Sequence, residues 1–327
     1  MPTDDQPLKG WENVDCAVCG TRDSSLVFRI PFADAPGGAS AVVQCKQCGL
    51  RRLDPRPGPT KIGGYYGAAA GDGYNAYVGR KRSPKKQAIW NFLRDGYSHP
   101  AQQSILSRVA SPLTGLFASW AFDINVALDR REGLSALEVG AGYGDILIYL
   151  RERGCQTAGT DLSEAAVAKG REYGIDMRYG HLKDVGLPSG SFDIAIMCHS
   201  LEHVPQPRVE LAELSRLVKK GGRLHIAVPN GHAVRMDQDQ LEWAHLSHPL
   251  HFWYFDGENL ARLLHEYGFE PVIGPKTTTR HHALNAWRDQ FRKRGVGPAT
   301  RVLLNFLKAS MSRSDGGDVL RVVAERR

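Results

Sequence analysis

Two absences narrow what this chain of 327 residues can be. No apolar run is long enough to cross a bilayer, which argues against a membrane-spanning helix. The first residues lack the basic and then apolar pattern of a secretion signal, so we expect a cytoplasmic protein. Basic residues outnumber acidic ones by 42 to 35, and an anionic substrate is therefore one expectation.

A glycine-rich stretch at residues 136–147, ALEVGAGYGDIL, is the most informative part of the sequence. The apolar runs 137–139 and 146–150 predict a buried strand and a helix. Between them, Gly140, Gly142 and Gly144 permit positive φ and close approach of the backbone to a ligand. Strand, glycine turn and helix form the nucleotide-binding unit of a doubly wound sheet.

Glycine is missing where a dinucleotide site would need it. The G-x-G-x-x-G pattern requires glycine at the position of Asp145, whereas this chain has G-x-G-x-G followed by that acid. The stretch resembles the first motif of class I methyltransferases that depend on S-adenosylmethionine (SAM). Residues 191–204 and 220–229 resemble the fourth-strand and fifth-strand segments of the same family, in the expected order.

This resemblance implies an α/β fold, a Rossmann-like class I methyltransferase sheet with helices on both faces. We expect a small N-terminal zinc ribbon at residues 1–55, then a linker and helical cap at 56–132. The SAM-binding core would occupy 133–327, with a helical insertion at about 276–316 that serves as a lid or as the contact of a homodimer.

The resemblance also implies which residues bind SAM. Glu138 and Gly140 would lie beside the amino-acid end of the donor, and Asp161, at the end of a second predicted strand, would accept the ribose hydroxyls. Leu162 would flank the adenine, and Cys198 would lie near the methionine part unless it is a small buried hydrophobe. The full implied set is Glu138, Gly140, Gly142, Gly144, Asp161, Leu162, His181, Leu182 and Cys198.

Four of the six cysteines form two C-x-x-C-G segments, Cys16 with Cys19 and Cys45 with Cys48. In each segment the glycine allows backbone amides to turn toward the thiolates. Four thiolates suit one tetrahedral Zn²⁺, which would be structural because protein atoms fill every position. Disulfide pairing is the alternative, and a cytosolic setting disfavours it.

The sequence is less specific about the group that accepts the methyl. The chain lacks the Pro-Pro-aromatic turn that enzymes methylating nucleobase amino groups usually carry after the fourth strand, so a hydroxyl, carboxyl, amine or carbon acceptor remains open. A hydroxyl acceptor needs a base, and histidine has a suitable pKa. The predicted candidates are His203 first, His248 second, and then His245 and His251. Metal binding by the last three is an alternative that no carboxylate motif completes.

The sequence thus predicts SAM-dependent methyl transfer to a small-molecule or saccharide acceptor, most simply at a hydroxyl. The arrangement resembles bacterial methyltransferases of sugars, polysaccharide precursors or natural products. An RNA methyltransferase and a non-catalytic SAM-binding module are the rival interpretations. We do not expect a nucleic-acid partner, because aromatic residues are only partly interleaved with basic ones around residues 280–294.

Overall fold

The computed structural model describes residues 10–69, 133–243, 245–278 and 317–327. The predicted cap beyond residue 69 and nearly all of the predicted insertion lie outside these ranges. Within them, no helix is both long enough and apolar enough to cross a membrane.

The N-terminal part of the chain consists of short strands followed by one helix. These elements are β1 (Trp11–Glu12), β2 (Ser24–Pro31), β3 (Ala39–Cys45), β4 (Arg51–Leu53), β5 (Arg56–Pro57) and α1 (Pro59–Ala69). Strands β2, β3 and β4 pair in antiparallel order. Phe28, Ile30, Val42 and Leu53 are buried in one apolar cluster, which gives this small sheet a core. We call residues 10–69 the N-terminal module.

The remaining elements alternate strand and helix. The strands are β6 (Ser135–Val139), β7 (Gln156–Asp161), β8 (Asp176–Tyr179), β9 (Phe192–Cys198), β10 (Val218–Pro229), β11 (Trp253–Tyr254), β12 (Phe269–Thr278) and β13 (Val319–Arg326). The helices are α2 (Asp145–Arg151), α3 (Glu164–Glu172), α4 (Pro207–Leu217), α5 (Val234–Asp239) and α6 (Gly257–Glu266).

A seven-stranded sheet organises this larger part, in the order β12-β13-β10-β9-β6-β7-β8. The pairs from β10 to β8 are parallel, and β13 runs antiparallel to both β10 and β12. The predicted Rossmann-like sheet is therefore confirmed, and its last two strands form an antiparallel pair.

Strand β9 shows why helices cover both faces. Ala195 and Met197 belong to an apolar cluster with residues of α4 and α6, whereas Ile194 and Ile196 belong to a cluster with residues of α2. Neighbouring side chains of a strand point to opposite faces, so the part of β9 that helices cover on both faces, residues 194–197, is apolar.

Local caps fix where two of the helices begin. The Ser163 hydroxyl accepts a hydrogen bond from the Ala166 amide at 3.2 Å, and α3 starts at the next residue. Asp256 accepts from the Glu258 and Asn259 amides, while the Asn259 side chain accepts from the Asp256 amide. Both caps are predictable from sequence, since these side chains satisfy amides that a helix start leaves unpaired.

The sheet of the N-terminal module has a fourth strand, β11, which lies about 200 residues further along the chain. Its order is β11-β4-β3-β2, with Trp253 opposite Arg52 and Tyr254 opposite Arg51. The module and the larger part of the protein therefore share one ladder of backbone hydrogen bonds.

Candidate active site and cysteine centre

The glycine turn after β6 is held against the end of β7. The amides of Gly140 and Ala141 donate to the Thr160 carbonyl at 2.9 and 3.0 Å. The Gly142 amide donates to Asp161 Oδ2 and the Ser163 amide to Asp161 Oδ1, both at 2.8 Å. The Asp161 carboxylate is thereby fixed in orientation at the carboxyl edge of the sheet, where ligands bind in this type of fold.

The same turn touches the loop that follows β9. Gly140 has φ +68°, and a Cβ atom built on it would lie 2.7 Å from Ser200 Cβ. Glycine is thus required at position 140 for two reasons, its left-handed backbone and its close neighbour. The contact brings the glycine turn and the residues after β9 to one edge of the sheet.

The other residues implied in SAM binding differ in exposure. Leu162 is 51% exposed next to Asp161, whereas Leu182 is 1% exposed and lies in the apolar core. Glu138 is buried beneath the glycine turn, and Cys198 is half-buried at the end of β9. An exposed leucine beside the fixed carboxylate offers an apolar surface for a ring, which Leu182 does not.

Beyond β9, a fully buried carboxylate lies among several histidines. Glu202 is 0% exposed, with Oε1 3.4 Å from His199 Nδ1 and 3.9 Å from His251 Nε2. Burial alone would raise the pKa of Glu202, but the approach of His199 to 3.4 Å and the electrostatic interaction with His203 and His251 lower that pKa to about 2. The carboxylate is therefore ionised at neutral pH.

Two of the predicted histidines flank this carboxylate with their ring orientations fixed. His203 Nδ1 lies 3.1 Å from the Leu250 carbonyl, and His251 Nδ1 lies 2.8 Å from the His245 carbonyl. Since a carbonyl oxygen can only accept, each Nδ1 carries the hydrogen in these bonds. Burial lowers the pKa of His203, and it lowers that of His251 to about 3, which keeps both rings neutral.

The remaining two predicted histidines occupy different surroundings. The His245 ring lies parallel to His199, with centroids 6.2 Å apart. His248 packs instead against Phe32 and Trp11 of the N-terminal module, at centroid distances of 4.6 and 6.5 Å. Burial lowers the pKa of His248 to about 4. The structure thus joins three of the four histidines to the Glu202 region and places the fourth at the module.

Sequence reasoning missed the roles of His199 and Glu202. The two residues are three positions apart in the sequence, a spacing that does not by itself indicate a buried carboxylate. The burial of Glu202 and its approach to His251 depend on a contact between two loops that are distant in sequence. A charged residue shortly after an apolar strand is the only signal that the sequence offers for Glu202.

The N-terminal module contacts both loops that carry the candidate histidines, the loop after β9 and the loop before β11. The Arg56 guanidinium lies 4.8 Å from the ring centroid of Phe252 and 5.0 Å from that of Trp253. Its Nη2 donates to the Pro205 carbonyl at 3.0 Å, and its Nε donates to Glu12 Oε1 at 2.9 Å. One buried arginine therefore contacts the loop after β9 and the loop before β11.

The four cysteines converge as the sequence predicts. Their sulfur atoms all lie within 4.8 Å of one another, and the pairs Cys16–Cys48 and Cys19–Cys45 are 3.4 Å apart. These distances exceed a disulfide bond and are near the roughly 3.8 Å edge of a Zn–S₄ tetrahedron with bonds of about 2.3 Å. The donor set therefore fits a structural zinc ion.

The cysteine centre is also attached to the larger part of the chain. Arg208, in the first turn of α4, donates to the Ala17 carbonyl at 2.7 Å and to the Val18 carbonyl at 2.6 Å. Ala17 and Val18 lie between the first two cysteines. A guanidinium that binds both carbonyls fixes the position of that segment on the helix.

Comparison with known proteins agrees with this geometry. Residues 115–273 match the model of the family described as a methyltransferase domain. The match spans 159 of the 327 residues, so the chain is similar to that family over part of its length. Together with the sheet order and the glycine turn, this similarity indicates that the carboxyl edge is the candidate active site.

Curated relatives match this chain over only part of their own length. A protein of 37.1 kDa in transposon TN4556 of Streptomyces fradiae is 31% identical over 166 residues, 46% of this chain and 48% of that protein. A ubiquinone biosynthesis O-methyltransferase of Pseudomonas paraeruginosa is 32% identical over 113 residues, 32% of this chain and 49% of the relative. The chain thus spans about half the length of these relatives.

Among solved structures, magnesium protoporphyrin IX methyltransferase of Synechocystis PCC 6803, solved with bound SAH, matches 81% of this chain and 98% of its own at 14% identity, with a TM-score of 0.47. A methyltransferase of Mesorhizobium loti matches 61% of this chain and 94% of its own at 17% identity, with a TM-score of 0.43.

Proposed function

We propose that this protein transfers the methyl group of SAM to a hydroxyl of a small-molecule or saccharide acceptor. One observation carries the proposal: the glycine turn with its fixed Asp161 and the histidine-rich loops meet at one sheet edge, through the contact between Gly140 and Ser200. An O-methyltransferase among the partial relatives supports a hydroxyl acceptor.

The residues of the donor side would bind and orient SAM. Gly140, Gly142 and Gly144 have positive φ and keep the turn free of side chains. Asp161 would accept hydrogen bonds from the ribose hydroxyls through its oriented carboxylate, and Leu162 offers an apolar surface to the adenine. When bound, SAM supplies an activated methyl group, so the protein has mainly to align the acceptor and exclude water.

The loops after β9 and β10 would hold the acceptor and take its proton. As the methyl bond forms, a base within hydrogen-bond reach must accept the hydroxyl proton. We assign this role to one histidine among His203, His245, His248 and His251. Burial keeps His203, His248 and His251 neutral, so each has one ring nitrogen with a lone pair.

The cysteine centre would bind one structural Zn²⁺ through Cys16, Cys19, Cys45 and Cys48. All four sulfur atoms would bind the metal, which leaves no position for a substrate. The metal would then shape the N-terminal module and, through Arg208, its attachment to α4.

Calorimetry with SAM and a transfer assay with methyl-labelled SAM test the proposal. We expect one SAM site per chain, and label in a hydroxylated small molecule or sugar from a chemically diverse panel. A folded, zinc-containing protein that binds neither SAM nor its demethylated product would refute the function. Label in RNA, with none in small molecules, would establish the rival substrate class.

A further inference from the structure

We propose that Glu202, His203 and His251 bind one divalent transition-metal cation, such as Mn²⁺, Fe²⁺ or Zn²⁺, at a site separate from the four cysteines. One ligand atom from each of these residues lies within 4.8 Å of the other two. A carboxylate and two imidazoles form a donor set that suits cations of this class. The inference goes beyond the proposed methyl transfer, because it concerns cation binding alone.

The buried carboxylate is the first argument. Glu202 is 0% exposed, and within the described residues neither of its oxygens accepts a hydrogen bond of acceptable geometry. The nearest basic atom there is His199 Nδ1, at 3.4 Å from Oε1. A buried anion with so little hydrogen bonding is costly, and a bound cation would offset that cost.

The orientation of the two imidazoles is the second argument. His203 and His251 each donate an Nδ1 hydrogen to a backbone carbonyl, so each Nε2 carries the lone pair. His251 Nε2 is 3.9 Å from Glu202 Oε1. The carboxylate and the two imidazoles thus lie together, and each can offer a lone pair to one cation.

Backbone carbonyls as partners of the opposite ring nitrogen are typical of metal-binding histidines. Such partners fix the tautomer and the ring direction and increase the basicity of the ligating nitrogen. Here both partners, the carbonyls of Leu250 and His245, belong to the loop that also carries His251. The loop thus supplies one ligand and orients both histidines.

The scaffold that carries the three ligands is itself fixed. The Phe252 amide donates to the Glu202 carbonyl at 2.9 Å, and Trp253 Nε1 donates to the Val204 carbonyl at 2.7 Å. Metal bonds of about 2.0–2.2 Å require ligand atoms roughly 3–3.5 Å apart, so side-chain rotation would have to shorten separations that are at most 4.8 Å in the structure.

A proton is the competing occupant. A hydrogen on His199 Nδ1 would stabilise Oε1 of Glu202 across 3.4 Å without any metal. The two occupants differ in stoichiometry, because only the first adds a metal ion to the protein. A bound cation would also make His203 and His251 ligands, and the base of the proposed function would then be His245 or His248.

The test is metal content after equilibrium dialysis of the full chain against excess Mn²⁺, with all bound divalent metals summed. Mn²⁺ is chosen because it does not displace zinc from thiolates. We expect two cations per chain in the wild type, one at the cysteines and one here. Glu202→Gln should remove the second and weaken its binding by more than about 100-fold, beyond the effect of losing an outer partner.

Two further variants keep the result decisive. His251→Gln should also lose the second cation, and it serves if Glu202→Gln fails to fold. His265→Ala, a half-exposed histidine on α6 beside Glu270, should retain both. A wild-type sum of one, or a sum of two in the folded Glu202 and His251 variants, would overturn the site. SAM calorimetry on the same samples tests the proposed function separately.

Discussion

The two halves of the candidate active site are built from contacts of very different sequence separation. On the donor side, Asp161 binds amides that lie 2 and 19 residues away. On the acceptor side, His203 binds a carbonyl 47 residues away, and Arg56 binds one 149 residues away. The donor side is therefore held within one strand–turn–helix unit and its neighbour, whereas the acceptor side combines loops that are distant in sequence with contacts from the N-terminal module.

The largest expected effect comes from a substitution in the cysteine centre, which should separate the two sides of the site. Cys16→Ser should remove one zinc per chain and unfold the N-terminal module, because zinc binding contributes on the order of 10 kcal/mol to the folding of small zinc domains. SAM affinity should change little, since the residues expected to bind SAM lie on the donor side. Elemental analysis and hydrogen exchange at the Leu53 amide, which donates to the Phe252 carbonyl, would measure these effects.

Cys155→Ser is the matched control, because Cys155 is a buried free cysteine in the apolar cluster with α2. It should leave the zinc content unchanged. A wild-type protein without zinc, with the four module thiols oxidised, would contradict the structural metal.

The acceptor half should carry the next largest effect. At least one His→Ala change among His203, His245, His248 and His251 should lower kcat by roughly 10²–10⁴-fold, the usual contribution of general-base catalysis. SAM affinity should barely change, because that site is built from the donor half. Steady-state assays with an identified acceptor would measure this, and His265→Ala is the control.

Metal content separates two reasons for such a loss. A variant that loses kcat but keeps both cations identifies the base, whereas one that also loses a cation identifies a ligand. Near wild-type kcat in all four variants would mean that no histidine is the base. The acceptor would then be an amine or an already ionised group.

The donor half should respond to Asp161→Ala. Loss of the charged acceptor should weaken SAM binding by about 2–4 kcal/mol, and the freed Gly142 amide should loosen the turn. Asp176→Ala is a control on a similar carboxylate, because Asp176 lies at the amino end of β8, away from the candidate site, and pairs with Arg178. Unchanged SAM affinity in folded Asp161→Ala, measured by calorimetry, would remove this residue from the ribose site.

The smallest expected effect concerns the contact between the N-terminal module and the two loops of the acceptor side. Arg56→Lys should reduce the free energy of unfolding by about 1–2 kcal/mol, because lysine cannot keep the stacking on Phe252 and Trp253 together with two directed hydrogen bonds. Denaturant unfolding would measure the loss. Arg22→Lys, in an exposed pair with Asp15, should have a smaller effect, because exposed ion pairs contribute little to stability. Equal effects would show that Arg56 does not join the loops.

The same contrast explains what the sequence could predict. The α3 bounds, its Ser163 cap, the apolar strand β9 and the cysteine segments all follow from residues near one another, and the structure has each of them. Strand β11 has two residues, too few for a periodic pattern, and its partner β4 lies some 200 positions away. Burial of Glu202 beside His251 likewise depends on loop packing that no local pattern encodes.

Strand β11 also determines where this protein can be cut. A shortened chain that begins after Gly58 would lose β4 and leave the edge of Trp253 and Tyr254 without its partner. An uncovered strand edge with buried aromatic residues beside it favours aggregation. Exchange of the first 58 residues for those of another protein would meet the same obstacle unless residues 245–256 were exchanged with them. The unit that can be exchanged therefore consists of two segments that are distant in sequence, although the N-terminal segment alone has the sequence pattern of a separate domain.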